Sequence, residues 1–193
     1  LTFTHSWDKV LPEIMTKISN KFRQFVQKRL IESAQVKKKV AEDCMESILE
    51  AAQLIIDTFE SGGKVMICGN GGSAADSQHM AAEFVCILNK TFKRPGLPAI
   101  ALTTDTSILT AYANDLGFET IFKRQVQALG KPGDLLISIS TSGSSPNILI
   151  AAKAAKSANI STIALTGNRG KLQKMADAAI CVPSSMTQYI QES

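Results

Sequence analysis

His79 and Glu83 stand four residues apart in a stretch that reads as helix, and that stretch follows a glycine-rich turn, "GNGGS" at 69–73. Spacing of i and i+4 puts both side chains on one helix face. A pair so placed can be a plain surface ion pair, a base beside a sugar, or two ligands of one zinc ion. Position favours chemistry. The pair lies one to three turns beyond a turn whose backbone N–H groups and helix dipole suit an anion.

A second hydroxyl-rich stretch, "SISTSGSSPN" at 138–147, places Ser140, Thr141, Ser142, Ser144 and Ser145 at a strand end before an apolar helix. Pro146 fits the first turn of that helix and Ser145 its N-cap. Capping explains one hydroxyl, and a bound phosphomonoester would engage the others. Gly69, Gly71 and Ala74 satisfy the loose dinucleotide pattern G-x-G-x-x-[GA]. The acid such a site wants about twenty residues on is not there, the first after the second apolar run being Asp105. No G-x-x-x-x-G-K-[ST] string occurs, which argues against a nucleotide P-loop.

The elements that must position these residues follow a regular rhythm. Apolar runs at 64–69, 98–102, 134–140, 161–167 and 178–183 read as strands, several apolar throughout, as strands covered on both faces are. Helical patterns fill about 74–88, 106–114, 118–129, 146–158 and 170–176. This predicts a doubly wound α/β fold, a five-stranded parallel sheet flanked by helices. Ligands of such sheets bind at the carboxyl ends of the strands, where "GNGGS", "TTDTS", "TSGSS", "TGNRG" and "SSMTQ" lie. Residues 1–32 read as an N-terminal helical extension and 33–193 as the domain, opened by a long helix over 33–59 that stops at Ser61–Gly63. The apolar stripe of these first helices asks for a partner surface, which another subunit could supply.

The chain of 193 residues carries a net charge of +4, suited to an anionic small substrate and too mild for a nucleic-acid partner. Basic residues crowd the first forty positions and read as a solvated helix face. Cys44, Cys68, Cys86 and Cys181 form no C-x-x-C pair; they read as free thiols of a cytoplasmic protein. No apolar run is long enough to span a membrane. Starting at Leu1 and stopping at Ser193, the sequence reads as part of a longer product whose C-terminal helix is missing or truncated.

Taken together, "CGNGGSAADSQHMAAEF", "RPGLPAIAL", "ANDLGFETIF", "QVQALGKPGDLLISISTSGSS" and "IQE" resemble the sugar isomerase (SIS) domain family, and within it the phosphoheptose isomerases, from about residue 20 to the end. The resemblance implies a flavodoxin-like fold and a homotetramer with sites at subunit interfaces. It implies isomerisation of sedoheptulose 7-phosphate to D-glycero-D-manno-heptose 7-phosphate through an enediol, for bacterial heptose and lipopolysaccharide biosynthesis. By position, Ser73, Ser140, Thr141, Ser142 and Ser145 would hold the phosphate. Asn70, Gly71, Gly72, Asn114, Asp115 and Gln191 would complete the substrate contacts. Glu83 would be the catalytic base and a substrate contact as well. Zinc, one ion per subunit, would take His79, Glu83 and Gln191, with a further His that the family carries about eight residues beyond that Gln. The only other histidine is His5. Two further departures are Ile87, where the family often has Arg, and the segment 88–93, two residues longer than usual. A regulator of this family that binds the replication initiator protein lacks a Glu at the position of Glu83, so Glu83 favours the enzyme. Other SIS enzymes, phosphosugar etherases or arabinose phosphate isomerases, usually differ in loops or carry extra domains.

Overall fold

The computed structural model describes residues 20–87, 89, 91 and 93–193. The expected extension over residues 1–19, with His5, and Leu88, Lys90 and Phe92 of the longer segment lie outside the described residues. Two helices lead, α1 (Asn20–Asp43) and α2 (Met45–Glu60). Then come β1 (Val65–Gly69), α3 (Gly72–Val85), β2 (Ala99–Ala101), α4 (Thr106–Leu116) and α5 (Ile121–Leu129). The chain continues through β3 (Leu135–Ser140), α6 (Pro146–Ser157), β4 (Ser161–Gly167), β5 (Ala178–Val182) and α7 (Thr187–Gln191).

The five strands are all parallel, in the order β2-β1-β3-β4-β5. β1 and β3 are buried along their whole length, as continuous apolar strands between two helical layers should be. Alternation divides their side chains. Met66, Cys68, Leu136 and Ala164 pack with Phe122, Val126 and Ile148 of α5 and α6, whereas Val65, Ile67, Ile137 and Ile163 pack with Ala51 of α2 and Ala81 of α3.

The register of β1 on β3, Val65↔Leu135 to Gly69↔Ile139, brings both strands to an end at one level. The chain then leaves β1 for α3 on one face and β3 for α6 on the other. That divergence opens a crevice at the carboxyl ends of β1 and β3, the switch point where sheets of this order bind ligands.

At the amino-terminal ends of the same strands a buried carboxylate ties the sheet together. Asp134, 0% exposed, accepts from the backbone N–H groups of Lys64 at 3.0 Å and Lys131 at 2.8 Å and from Lys64 Nζ at 2.5 Å. Burial by itself would push its carboxyl up; these three bonds outweigh it and hold the group below the usual carboxylate range.

Three elements differ from the sequence expectation. The helix expected over 33–59 starts earlier and breaks at Cys44 (φ −112°), so α1 crosses residue 32 without interruption. The Cys44 thiol donates to the Cys181 carbonyl of edge strand β5 at 3.4 Å, so tertiary contact accompanies a break that no Gly or Pro announces. Over 170–176 only a 3-10 turn forms, Leu172–Lys174, because the N–H groups of Lys171 and Leu172 both turn to the Gly143 carbonyl, at 2.8 and 3.0 Å. The helix expected over 118–129 opens as a 3-10 turn, Phe118–Thr120, before α5.

α7 docks on α1. Tyr189 Oη donates to Glu32 at 2.7 Å and receives Arg29 at 3.3 Å, and Ser33 donates to Glu192 at 3.0 Å. The Tyr189 hydroxyl, with Arg29 beside it, holds the Glu32 carboxyl below its ordinary value. α1 also exposes Phe22, Phe25, Leu30 and Ile31, with the Arg29 guanidinium 5.1 Å over the Phe25 ring. No helix among the described residues is long and apolar enough to cross a membrane.

Replacing Asp134 by Asn should cost about 1–3 kcal/mol in denaturant unfolding at neutral pH, the penalty for orphaning buried donors. Because the folded carboxyl titrates below the unfolded value of about 3.9, its contribution is complete above that pH. It is lost as pH falls through the folded value, so the gap between wild type and Asp134→Asn should narrow in acid.

Candidate active site

The crevice between β1 and β3 is lined by two loops that each feed a helix. After β1, Gly71 (φ 57°) turns the chain, and the Ser73 N–H returns to the Asn70 carbonyl at 3.0 Å to start α3. A Cβ on Gly69 would run into the Ser73 carbonyl, so only glycine allows this turn. The Ser73 hydroxyl donates to Gln191 Oε1 at 3.3 Å, and the same oxygen would lie 3.0 Å from a Cβ on Gly72. Thus α7, through Gln191, closes one wall of the turn.

After β3, the Ser140 hydroxyl lies 3.1 Å from that of Ser145 and 3.4 Å from that of Ser142. Gly143 (φ 61°) gives the loop its reversal, with its N–H on the Ser140 carbonyl at 2.9 Å. Ser145 occupies the N-cap position of α6 and Pro146 the first turn, but the Ser145 side chain makes no capping bond. Capping therefore accounts for none of these hydroxyls. Their cluster at a helix N-terminus is suited to several oxygens of one anion. Thr141 is half-buried beside it, and its carbonyl accepts from the Gly167 N–H at 3.2 Å.

The two loops are joined by a reciprocal amide pair. Asn70 Nδ2 donates to Asn147 Oδ1 and Asn147 Nδ2 to Asn70 Oδ1, both at 2.9 Å. The sequence reading singled out Asn70 and passed over Asn147, a polar residue that stands 3% exposed among the apolar positions of α6.

His79 and Glu83 share a face of α3, with His79 Nε2 3.2 Å from Glu83 Oε1; His79 is exposed and Glu83 half-buried. Glu83 is also held through its backbone. Arg94 Nη2 donates to the Glu83 carbonyl at 2.7 Å and Nη1 to the Phe84 carbonyl at 2.8 Å. A guanidinium on the last carbonyls closes the helix end that carries the carboxylate. Arg94 was not singled out from the sequence, because it folds back onto the helix end from beyond the last turn of α3 and no local pattern marks it. Asp76, also passed over, lies one turn before His79; burial pushes its carboxyl up, with His79 pulling against it.

Asn114 and Asp115 are exposed on α4, 2.9 Å apart, and among the described residues no hydrogen bond joins either to the crevice. Ile87 is half-buried just beyond α3.

His79 and Glu83 offer two adjacent donors, and the third expected zinc ligand, Gln191, has its oxygen on Ser73. Among the described residues no three His, Cys, Asp or Glu side chains come close enough to hold a metal. Two donors fall short of the three or four protein ligands that zinc takes, so the set does not fit zinc by itself. Thiol chemistry is equally unsupported. Cys68 is buried with its thiol pushed up to about 12, and burial also raises Cys44 and Cys181.

A family profile described as "SIS domain" matches residues 30–167. The phosphoheptose isomerase of Roseiflexus sp. (strain RS-1) is 48% identical over 179 residues, which is 92% of this chain and 90% of that protein. Two solved structures share the fold. The phosphoheptose isomerase GmhA from Neisseria gonorrhoeae has a TM-score of 0.83 and 43% identity over 89% of this chain and 91% of its own. A phosphoheptose isomerase from Francisella tularensis has a TM-score of 0.83 and 40% identity over 88% and 90%. The chain belongs to the SIS domain family and, within it, to the phosphoheptose isomerases, a family of enzymes.

Gly143→Ala places a Cβ at positive φ against the Arg169 carbonyl and 2.9 Å from Thr166 Oγ1. The left-handed conformation alone costs about 1–2 kcal/mol. Thermal unfolding should report the lower stability, and calorimetric titration with inorganic phosphate should show weakened binding.

Proposed function

We propose that the chain interconverts sedoheptulose 7-phosphate and D-glycero-D-manno-heptose 7-phosphate, for heptose and lipopolysaccharide biosynthesis. The observation that carries this reading is the meeting of a glycine-rich and a serine-rich helix N-terminus at the β1/β3 crevice, in a chain of this family. Ser73, Ser140, Thr141, Ser142 and Ser145, with the backbone of Gly71 and Gly72, take the phosphate. Asn70, Asp115, Asn114 and Gln191 meet the sugar hydroxyls. The phosphate handle supplies binding energy away from the reacting carbons and orients them.

Glu83 is the base. It takes a proton from C1 of the ketose as O2 takes one up and the C1–C2 enediol forms, then returns its proton to C2 as O1 gives up its own and the aldehyde appears; the proton lost from O1 balances the one gained by O2. No atom is gained or lost and no oxidant is needed. The Arg94 clasp on its carbonyl keeps the backbone of this residue in place while the side chain moves the proton.

The oligomer is part of the proposal. The exposed apolar residues of α1 support an assembly, taken here as a homotetramer in which the phosphate cradle of one subunit faces Glu83 of another. Zinc on His79, Glu83 and Gln191 belongs to the proposal only with donors beyond these three, and no step above runs through it. Free thiols support residence in the cytoplasm.

An NMR time course of sedoheptulose 7-phosphate with the wild type should show the heptose phosphate accumulating. Glu83→Gln should slow it by about 10²–10⁴-fold, the usual worth of a general base. Conversion by Glu83→Gln at the wild-type rate would remove Glu83 from the mechanism, and no conversion by the wild type would remove the substrate.

Shared sites are tested by mixing. A Ser140→Ala, Ser145→Ala chain and a Glu83→Gln chain, each inactive, should recover roughly a quarter of wild-type activity when refolded together in equal amounts, as random assembly dictates. Continued inactivity of the mixture would place cradle and base in one chain.

A further inference from the structure

We propose that Asn147 is a positioning residue, which fixes the orientation of the Asn70 amide at the crevice and so sets how Asn70 meets the sugar. The part of this that concerns the sugar rests on the function proposed above.

The geometry is unusually constraining. A primary amide has two N–H donors and one oxygen with two lone pairs. In this pair each amide spends one donor and one lone pair on the other, at 2.9 Å in both directions. Turning either amide over alone would set two oxygens and two NH2 groups face to face. The two can only be oriented in concert. Asn147 is 3% exposed and rooted in the first turn of α6 behind Pro146, so it has the less freedom of the two. Asn70 is half-buried at the end of β1, and its second N–H and second lone pair remain for a ligand.

Without its partner, Asn70 would sit on a glycine-rich turn, with Gly69, Gly71 and Gly72 around it. Its side chain would be free to rotate and to exchange donor for acceptor at the sugar. The pair also spans 77 residues and links the loop after β1 to the helix after β3, the two elements that diverge at the crevice. Asn147 needs no contact with substrate to act this way. Preorganisation of this kind lowers the barrier rather than the affinity, because it removes wrong orientations of a donor in the transition state.

Two measurements test it. Kinetics of sedoheptulose 7-phosphate turnover for wild type, Asn70→Ala, Asn147→Ala and the double variant form a cycle. Asn147→Ala should lose about tenfold in kcat/KM or more, carried by kcat. Competitive inhibition by inorganic phosphate should stay within about twofold of wild type, since the serine hydroxyls are untouched. The double variant should be no worse than Asn70→Ala alone. Asn147→Asp, equal in shape, accepts from Asn70 Nδ2 but cannot donate to its oxygen. It should reproduce the loss and serves where Asn147→Ala does not fold.

The second measurement needs no turnover. In the wild-type protein one proton of the Asn70 side-chain NH2 should exchange slowly and lie away from its free-amide position, and in Asn147→Ala it should exchange fast and return to that position. Wild-type kinetics in both Asn147 variants, losses that multiply in the double variant, or phosphate affinity falling in step with kcat would overturn the proposal. If the wild type turns over no heptose phosphate, the proposed substrate fails by itself. The amide signals then decide the positioning role: a shifted, slowly exchanging Asn70 proton that persists in Asn147→Ala would end it.

Discussion

β1 and β3 lie side by side and end at one level, yet the chain leaves them for opposite faces of the sheet. The rest of the molecule depends on this divergence. Parallel strands need helical crossovers, and right-handed crossovers in opposite directions from neighbouring strands leave a gap that no side chain of the sheet can fill. Toward that gap run the N-terminal, positive ends of the α3 and α6 dipoles, a concentration of partial positive charge that the fold creates before any residue is chosen for function. The sequence then furnishes the gap with groups small enough to let an anion approach: Gly71, Gly72, Ser73 on one side and Ser140, Ser142, Ser145 on the other.

The helices are held to this gap from outside it. Asp134 ties the amino-terminal ends of β1 and β3 through Lys64 and Lys131, so the two strands keep the register that brings their far ends level. Gly143 receives two N–H groups from Lys171 and Leu172, so the segment after β4 buttresses the serine loop rather than forming a helix of its own. Arg94 closes the far end of α3, and Gln191 sits against its near end. Each contact takes a side chain or loop with little chemistry of its own and spends it on the placement of one with more.

The sheet was legible because burial on both faces leaves a plain mark: "VMICG" and "LLISIS" carry few polar side chains, and those present are small enough to bury. The serine and glycine loops were legible because the α/β rhythm says where a strand ends. The residues that organise them were not. Asn147 shows itself only through Asn70, 77 residues away, and Tyr189 only through Glu32, 157 residues away. A pattern of period two or three and a half holds no trace of such pairs. The break at Cys44 was hidden for the same reason, since the bond that accompanies it comes from β5. Ser145 misled in a subtler way. It stands where an N-cap stands, but its hydroxyl turns to Ser140 rather than to the helix.

The clasp of α7 on α1 has a bearing on how this protein folds. Arg29 and Tyr189 are 160 residues apart, and their contact sets α7, and with it Gln191, against Ser73. Loops of that length close late, because the entropy lost in joining distant segments is repaid only when everything between is in place. A chain leaving the ribosome can build its first strand, its glycine turn and most of its sheet while the wall formed by Gln191 is still unsynthesised. The same contact is held by a few partly exposed polar bonds, which places it among the first to open when the native state fluctuates. Assembly and fraying therefore meet at α7, and one wall of the crevice is finished by a contact that forms after the sheet and opens before it.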